Sequence, residues 1–155
     1  MITRIVSGGQ TGVDRAALDV GRRAGIPTGG WCPADGWAED LTVPPGLLDL
    51  YPELRSTGSA DPVVRTRWNV RDSDATLVLV RTGVTSPGSE LTARVATELG
   101  RPHLVADVRD VAAVQDWLTT LPSDVVLNVA GPRESEAPGI AAEATALLGE
   151  VLREI

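Results

Sequence analysis

The residues best suited to chemistry form a glycine-rich turn near the start of the chain, Gly8-Gly9-Gln10-Thr11-Gly12-Val13-Asp14-Arg15. A short apolar segment precedes this turn and a helical pattern follows it. Glycines let the backbone approach a ligand closely, and the first turn of a helix points free N–H groups and a positive dipole at an anion. The turn therefore predicts a phosphate-binding site. Its expected binding residues are Gly8, Gly9, Gln10, Thr11 and Gly12.

Asp14, at the end of this turn, has two interpretations. The spacing Thr11-x-x-Asp14 fits a capping box, in which the carboxylate stabilises the helix start and needs no ligand. Asp14 also falls within the anion-binding turn, so we include it among the candidate binding residues. A catalytic role for its carboxylate is left open.

A second glycine-containing loop covers residues 82–92. Ser86 followed by Pro87 is typical of a helix N-cap and first helical residue, which alone explains the pattern. The functional interpretation is a second phosphate-holding helix N-terminus that faces the first. Its candidate binding residues are Gly88, Ser89 and Thr92.

Two further segments carry charged residues. Residues 65–74 hold three arginines and two aspartates, which suit either a solvated helix with local ion pairs or an arginine clamp for an anion. The loop at residues 128–139 follows a strand, with Pro138 as a candidate start for the final helix. The binding candidates from these two segments are Arg65, Asn69, Gly131, Arg133 and Glu134.

The elements that must position these residues alternate regularly. Apolar patterns predict strands at 3–7, 26–31, 76–80, 103–106 and 125–130, and helices at 13–24, 65–71, 91–99, 111–121 and 140–155. Residues 32–61 show no regular pattern. Alternating strands and helices predict one α/β domain over residues 1–155, with a mostly parallel, doubly wound, three-layer Rossmann-like sheet.

The preferred order of the five predicted strands is 2-1-3-4-5. Ligands in such sheets bind at the carboxyl ends of the strands, beside the point where the strand order reverses. With this order, the reversal lies between the first and third strands. The two glycine-containing loops, 8–14 and 82–92, are therefore expected to meet at one site.

Composition excludes several functions. The net charge of −7 opposes binding to nucleic acid, and all basic residues are arginine, so a Walker-type lysine and a lysine Schiff base are absent. No apolar run approaches the roughly 20 residues that span a bilayer, and no signal-peptide pattern is present, so we expect a cytoplasmic protein. Cys32 and His103 are single residues of their kinds, so a Cys–His nucleophile is kept only as an alternative and the chain has too few of these ligands for a zinc site. We therefore expect no metal site formed by the protein alone.

Four segments in order resemble one family. They are residues 8–19, Cys32-Pro33 with Ala38-Glu39-Asp40, residues 65–74, and Leu127-Asn128-Val129-Ala130-Gly131-Pro132-Arg133-Glu134-Ser135. The chain resembles the molybdenum carrier proteins, a branch of the SLOG superfamily of Rossmann-like nucleotide-ligand domains. The resemblance implies a homo-oligomer, dimer or tetramer, that binds molybdenum cofactor (molybdopterin) or a related phosphorylated ligand such as a nucleotide. The chain departs from the family at residues 34–37, which contain no basic residue, and at residues 87–90, where Glu90 adds negative charge.

The leading interpretation is a non-catalytic binding protein for a phosphorylated small molecule, with molybdenum cofactor as the preferred ligand. One alternative is a nucleotide-processing hydrolase related to the phosphoribohydrolases, although their characteristic glutamate has no counterpart here. Another alternative is a nucleotide-sensing module. No catalytic residue is assigned.

Overall fold

The computed structural model describes residues 1–153 and contains one sheet of six parallel strands. The strands are β1 (Ile2–Val6), β2 (Thr28–Cys32), β3 (Leu54–Ser56), β4 (Ala75–Val80), β5 (His103–Asp107) and β6 (Val125–Ala130). The helices are α1 (Val13–Arg23), α2 (Leu47–Leu50), α3 (Pro62–Arg71), α4 (Pro87–Glu98), α5 (Val111–Thr119) and α6 (Ile140–Val151), with a 3-10 turn at Ala34–Gly36.

The predicted fold class is confirmed. Helices α1, α5 and α6 pack together on one face of the sheet, and α3 packs against α4 on the other. Alternate residues of β4 and β6, such as Leu77 and Leu127, belong to the core beneath α1 and α6. Their neighbours Thr76 and Asn128 are also buried and are joined by a hydrogen bond of 3.4 Å, which places polar groups on the α3 and α4 side. The sheet therefore has one apolar face and one partly polar face.

The predicted strand order is wrong. The observed order is β3-β2-β1-β6-β4-β5, so the last strand lies between the first and third predicted strands. The physical reason is burial: Val125, Leu127 and Val129 of β6 are all buried, as a central parallel strand requires. In β5, by contrast, Val105 is 47% exposed, which suits an edge.

The region predicted as irregular contains ordered structure. Leu54–Ser56 forms the edge strand β3, which pairs with β2, and α2 precedes it. These elements build a second apolar cluster against α1, whose members are Leu18, Cys32, Ala38, Leu47, Tyr51 and Leu54. The segment therefore covers the end of α1 and one edge of the sheet.

Several element boundaries differ from prediction. Helix α3 begins earlier than expected because Asp61 caps it and Pro62 is its first residue. Helix α6 begins at Ile140, as the predicted range 140–155 has it, and not at the alternative start Pro138. The last two residues of the predicted final helix, 154–155, lie outside the described residues. Within residues 1–153, no helix has the length and apolarity needed to cross a membrane.

Candidate functional site

A cleft of about 410 Å³ opens at the carboxyl ends of β1 and β6, between α3 and the start of α4. Its size falls within the range typical of small-molecule sites, about 300–1,000 Å³. Many residues predicted from the sequence line this cleft. They are Gly8, Gln10, Asp14, Arg65, Asn69, Gly88, Thr92, Gly131 and Arg133. The structure thus brings together the four segments that supplied the binding candidates: residues 8–14, 65–74, 82–92 and 128–139.

The other predicted residues lie outside the cleft lining: Gly9, Thr11, Gly12, Ser89 and Glu134. The two glycines and Ser89 act in packing and turn geometry. A side chain at Gly9 would contact Leu47 and Leu54, which are in the second apolar cluster. Gly12 has a φ of +82° and packs against the carbonyl of Pro132. The buried Ser89 hydroxyl lies 2.8 Å from the Ser86 hydroxyl, close to the cleft but behind its surface.

Thr11 and Glu134 connect loops to one another. The Thr11 hydroxyl donates to Glu39 and accepts from the backbone N–H of Glu134 at 3.2 Å. The Glu134 carboxylate accepts from the N–H groups of Gly139 at 2.7 Å and Ala141 at 3.0 Å, at the start of α6. These contacts explain both residues without a ligand.

Asp14 lies at the floor of the cleft and holds its parts together. Its carboxylate lies 3.5 Å from the Arg65 guanidinium and close to the backbone N–H groups of Gln10 and Gly131. Burial raises the pKa of Asp14 to about 6, against the lowering effect of Arg65 and the two N–H groups. The capping box is not formed, because the N-cap residue is Gly12 and no side chain caps α1.

Arg65 reaches from α3 to the first glycine turn. Its Nη1 donates to the Gly8 carbonyl at 3.1 Å, and any side chain at residue 8 would collide with this guanidinium. The Arg65 Nε is buried and has no hydrogen-bond partner in residues 1–153. Buried donors are almost always paired in folded proteins, so this atom marks a position for an acceptor.

The N-terminus of α4 forms one wall of the cleft. The predicted N-cap is confirmed: Ser86 accepts from the Ser89 N–H at 3.4 Å, and Pro87 is the first helical residue. Glu136, which the sequence analysis missed, also lines the cleft and accepts from the Arg133 N–H at 2.9 Å and from Ser86 at 3.5 Å. Its position in the loop after β6 is the one feature that could have indicated it.

Two other wall residues hold the cleft in shape. The Asn69 side chain accepts from the Trp31 N–H at 2.7 Å and donates to the Trp31 carbonyl at 3.0 Å, which fixes α3 against β2. The side-chain Oε1 of Gln10 accepts from the N–H groups of Thr11 and Glu39, at 3.1 and 2.9 Å. Both side chains are almost fully buried, so the cleft is preformed.

Residues 34–40, of which 34–37 contain no basic residue, pack beside the cleft. Asp40 forms a two-point ion pair with Arg15, with both N–O distances 2.9 Å. The Arg133 guanidinium lies 5.7 Å from the ring centre of Trp37, within range of a cation–π interaction. Trp37 thus supports an arginine from another loop.

The Cys32–His103 pair, which the sequence offered only as an alternative, is not assembled. Cys32 is buried at the end of β2, whereas His103 lies on β5 at the opposite side of the sheet. Within residues 1–153, no three His, Cys, Asp or Glu side chains are grouped so that they could hold a metal ion.

Comparison with known families addresses the resemblance directly. The model of the circularly permutated YpsA SLOG family matches residues 5–152 of the chain. The chain belongs to this family. A crystal structure from Syntrophus aciditrophicus SB, named "Putative molybdenum carrier protein", has a TM-score of 0.85 with this chain and 39% sequence identity. That similarity covers 97% of this chain and 94% of the other, whereas no curated protein matches. The resemblance seen in the sequence is therefore confirmed.

Proposed function

We propose that the protein binds a phosphorylated small molecule in the cleft between α3 and α4. The supporting observation is convergence: Arg65 and Arg133, the N-terminus of α4 and the loops at the ends of β1 and β6 all border one cleft. Two arginines and a helix N-terminus are well matched to a phosphate group. Molybdenum cofactor (molybdopterin) is the preferred ligand, since the neighbouring crystal structure bears the name of a molybdenum carrier. A nucleotide is the second candidate.

The residues present fit a phosphorylated ring compound. The unpartnered Nε of Arg65 would donate to a phosphate oxygen, and Arg133 and the N–H groups at the start of α4 would complete the anion site. An apolar rim at the cleft mouth, made by Pro62, Val63 and Leu91, would contact a flat ring. Molybdopterin, when bound, would supply the dithiolene sulfurs that hold its metal.

Calorimetric titration with molybdopterin and with AMP, each compared with its dephosphorylated form, tests this proposal. We expect the phosphorylated forms to bind at least about tenfold more tightly, because a hydrogen bond to a charged group contributes about 1.5–3 kcal/mol. Arg133→Ala should remove about tenfold of the affinity for phosphorylated ligands only.

Arg67→Ala is the control for the loss of an arginine near the cleft, because Arg67 lies on the wall helix α3 but pairs with Glu98 at 3.2 Å and does not line the cleft. This variant should bind as the wild type does. Failure of every phosphorylated ligand to bind would contradict the proposed function.

Hydrolysis of a nucleotide is the second candidate function. It is favoured by two carboxyl groups, Asp14 and Glu136, which line the cleft beside the arginines. Glu90, considered from the sequence, is exposed and does not line the cleft. Release of free adenine in the AMP samples would support hydrolysis, and intact AMP would remove this candidate.

A further inference from the structure

We propose that the anion seat of the cleft is the Arg65 guanidinium, and that an oxyanion binds there together with a proton taken up by Asp14. This inference rests on the proposed function, because the seat lies within the same cleft. It adds to the contact with Arg65 proposed above a proton taken up by Asp14, and hence a dependence of binding on pH. The proton neutralises the Asp14 carboxyl, so the bound oxyanion replaces Asp14 as the negative partner of Arg65.

Arg65 has one shared donor group and one unsatisfied donor atom. Its Nη1 is shared between the Gly8 carbonyl at 3.1 Å and the Asp14 carboxylate at 3.5 Å. Its Nε is buried without a partner in the part of the chain that the structure describes. The guanidinium therefore has a charge balanced by Asp14 and a free donor. The Nε has almost no accessible surface, so an oxyanion in the cleft would satisfy this donor once the Arg65 side chain turns toward the cleft that it lines.

This oxyanion would repel the negative charge of the Asp14 carboxylate. Asp14 is 6% exposed and lines the same cleft, so water screens it poorly from a second negative group. Two anions that share one arginine repel each other, and a proton on the buried carboxyl removes the repulsion. The neutral carboxyl keeps an acceptor oxygen close to the N–H groups of Gln10 and Gly131.

Asp14 can take up a proton at a mildly acidic pH. Burial raises the pKa of Asp14 to about 6 despite the opposing charge of Arg65. A nearby oxyanion raises the pKa of this carboxyl further. By linkage, binding that raises the pKa must itself become tighter as the pH falls.

The other charged groups around Asp14 do not provide an alternative partner. Arg15, on the same helix, is held by Asp40 and by the Gly9 carbonyl at 3.0 Å. Arg133 and Glu136 also line the cleft, and the Glu136 carboxylate accepts from the Arg133 N–H. The remaining side chains that line the floor, Gln10 and Asn128, are neutral.

Inorganic sulfate is a suitable probe because it stays a dianion throughout the neutral pH range. NMR titration of the full chain would follow the Asp14 carboxyl carbon and the Arg65 Nε with and without sulfate. We expect sulfate to shift the Arg65 resonance and to raise the Asp14 midpoint by about one unit. The same coupling makes sulfate bind roughly sevenfold more tightly at about pH 5 than at about pH 7.5.

Two variants separate Asp14 from other carboxyl groups. Asp14→Asn should make sulfate affinity independent of pH over this range. Glu90→Gln should keep the dependence, because Glu90 is an exposed carboxyl on the first turn of α4 and lies outside the cleft. If Asp14→Asn fails to fold, the wild-type titration still decides.

The outcomes are distinguishable from failure of the proposed function. A shifted Arg65 resonance with an unmoved Asp14 midpoint would overturn the proton coupling but leave phosphate binding intact. An unmoved Arg65 resonance at saturating sulfate would overturn the seat itself. The calorimetric titrations with complete ligands would then judge the binding function independently.

Discussion

Two glycines of the first turn act by making room for other groups. Any side chain at Gly8 would meet the Arg65 guanidinium and the Asp14 carboxylate, so glycine allows this ion pair to form against the backbone. Gly12 lies directly against the backbone of Pro132 and Arg133, in the loop that follows β6. The turn thus joins two loops of the cleft.

Gly12→Ala should destabilise the protein strongly. Its φ of +82° is strained for any other residue, and a Cβ would collide with the Pro132 carbonyl. We expect a loss of about 3 kcal/mol or more in the free energy of unfolding, measured with urea. Gly83→Ala is the control, because Gly83 has a φ of +87° but open space around it. This control variant should lose only about 1–2 kcal/mol of its free energy of unfolding, which is the cost of the strained backbone alone. Equal losses in the two variants would show that the structure relieves the collision at residue 12.

At this scale the sequence predicts which loops form the site better than which side chains face it. Spacing correctly places Gly8, Arg65 and Gly131 at one cleft. It does not show that Thr11 turns toward Glu39, because that direction depends on a contact with a distant segment. The pairing of Asp14 with Arg65 is equally non-local and leaves no pattern in the sequence.

At the scale of elements, α6 begins without a side-chain cap of its own. Its N-cap residue, Gly139, has a φ of +90° and no side chain to accept from the first N–H groups. Glu134 supplies this acceptor from the preceding loop, with bonds to Gly139 and Ala141. A carboxylate at a helix N-terminus also interacts favourably with the helix dipole.

Glu134→Ala should therefore lower the free energy of unfolding by about 1–2 kcal/mol. Thermal and urea unfolding would measure the loss. Glu150→Ala serves as the control, since Glu150 is an exposed carboxylate near the other end of α6. Removing that charge should change stability by less than about 0.5 kcal/mol. A similar loss in both variants would contradict the capping role of Glu134.

The long elements were predictable because their apolar periodicity is strong, but β3 was not. Leu54–Ser56 is too short to show alternation, and a proline and a glycine lie close on either side. Its extended form comes from pairing with Gly30–Cys32 of β2 and from burial of Leu54. Tertiary contacts therefore define this strand, and local propensity does not.

At the scale of the whole molecule, the position of β6 determines the site. β6 pairs with β1 on one side and with β4 on the other, so it joins the two halves of the sheet. The loop that follows β6 is thereby placed between the first glycine turn and the start of α4. Alternating elements predict right-handed crossovers but not which strands become neighbours, so this arrangement could not be read from the alternation alone.

This topology leads to a prediction about chain connectivity. A circular permutant that begins at Ser123 and joins residue 155 to Met1 by a short glycine linker should fold into the same sheet. Met1 and Val151 border one pocket, so the four residues after Val151 together with a short linker are long enough to span the gap between them. Far-UV circular dichroism and cooperative urea unfolding would measure folding.

The matched comparison is the fragment of residues 1–122. Both proteins interrupt the chain after Pro122, but the fragment lacks residues 123–155 altogether. This fragment loses the only strand that joins β1 to β4 in the described sheet, and it exposes the apolar face that α6 covers. We expect no cooperative unfolding from it, because β1 and β4 would each present an unpaired edge. A cooperative fragment would instead mean that the two halves of the sheet fold independently, and a permutant that fails to fold would mean that β1 must be made before β6.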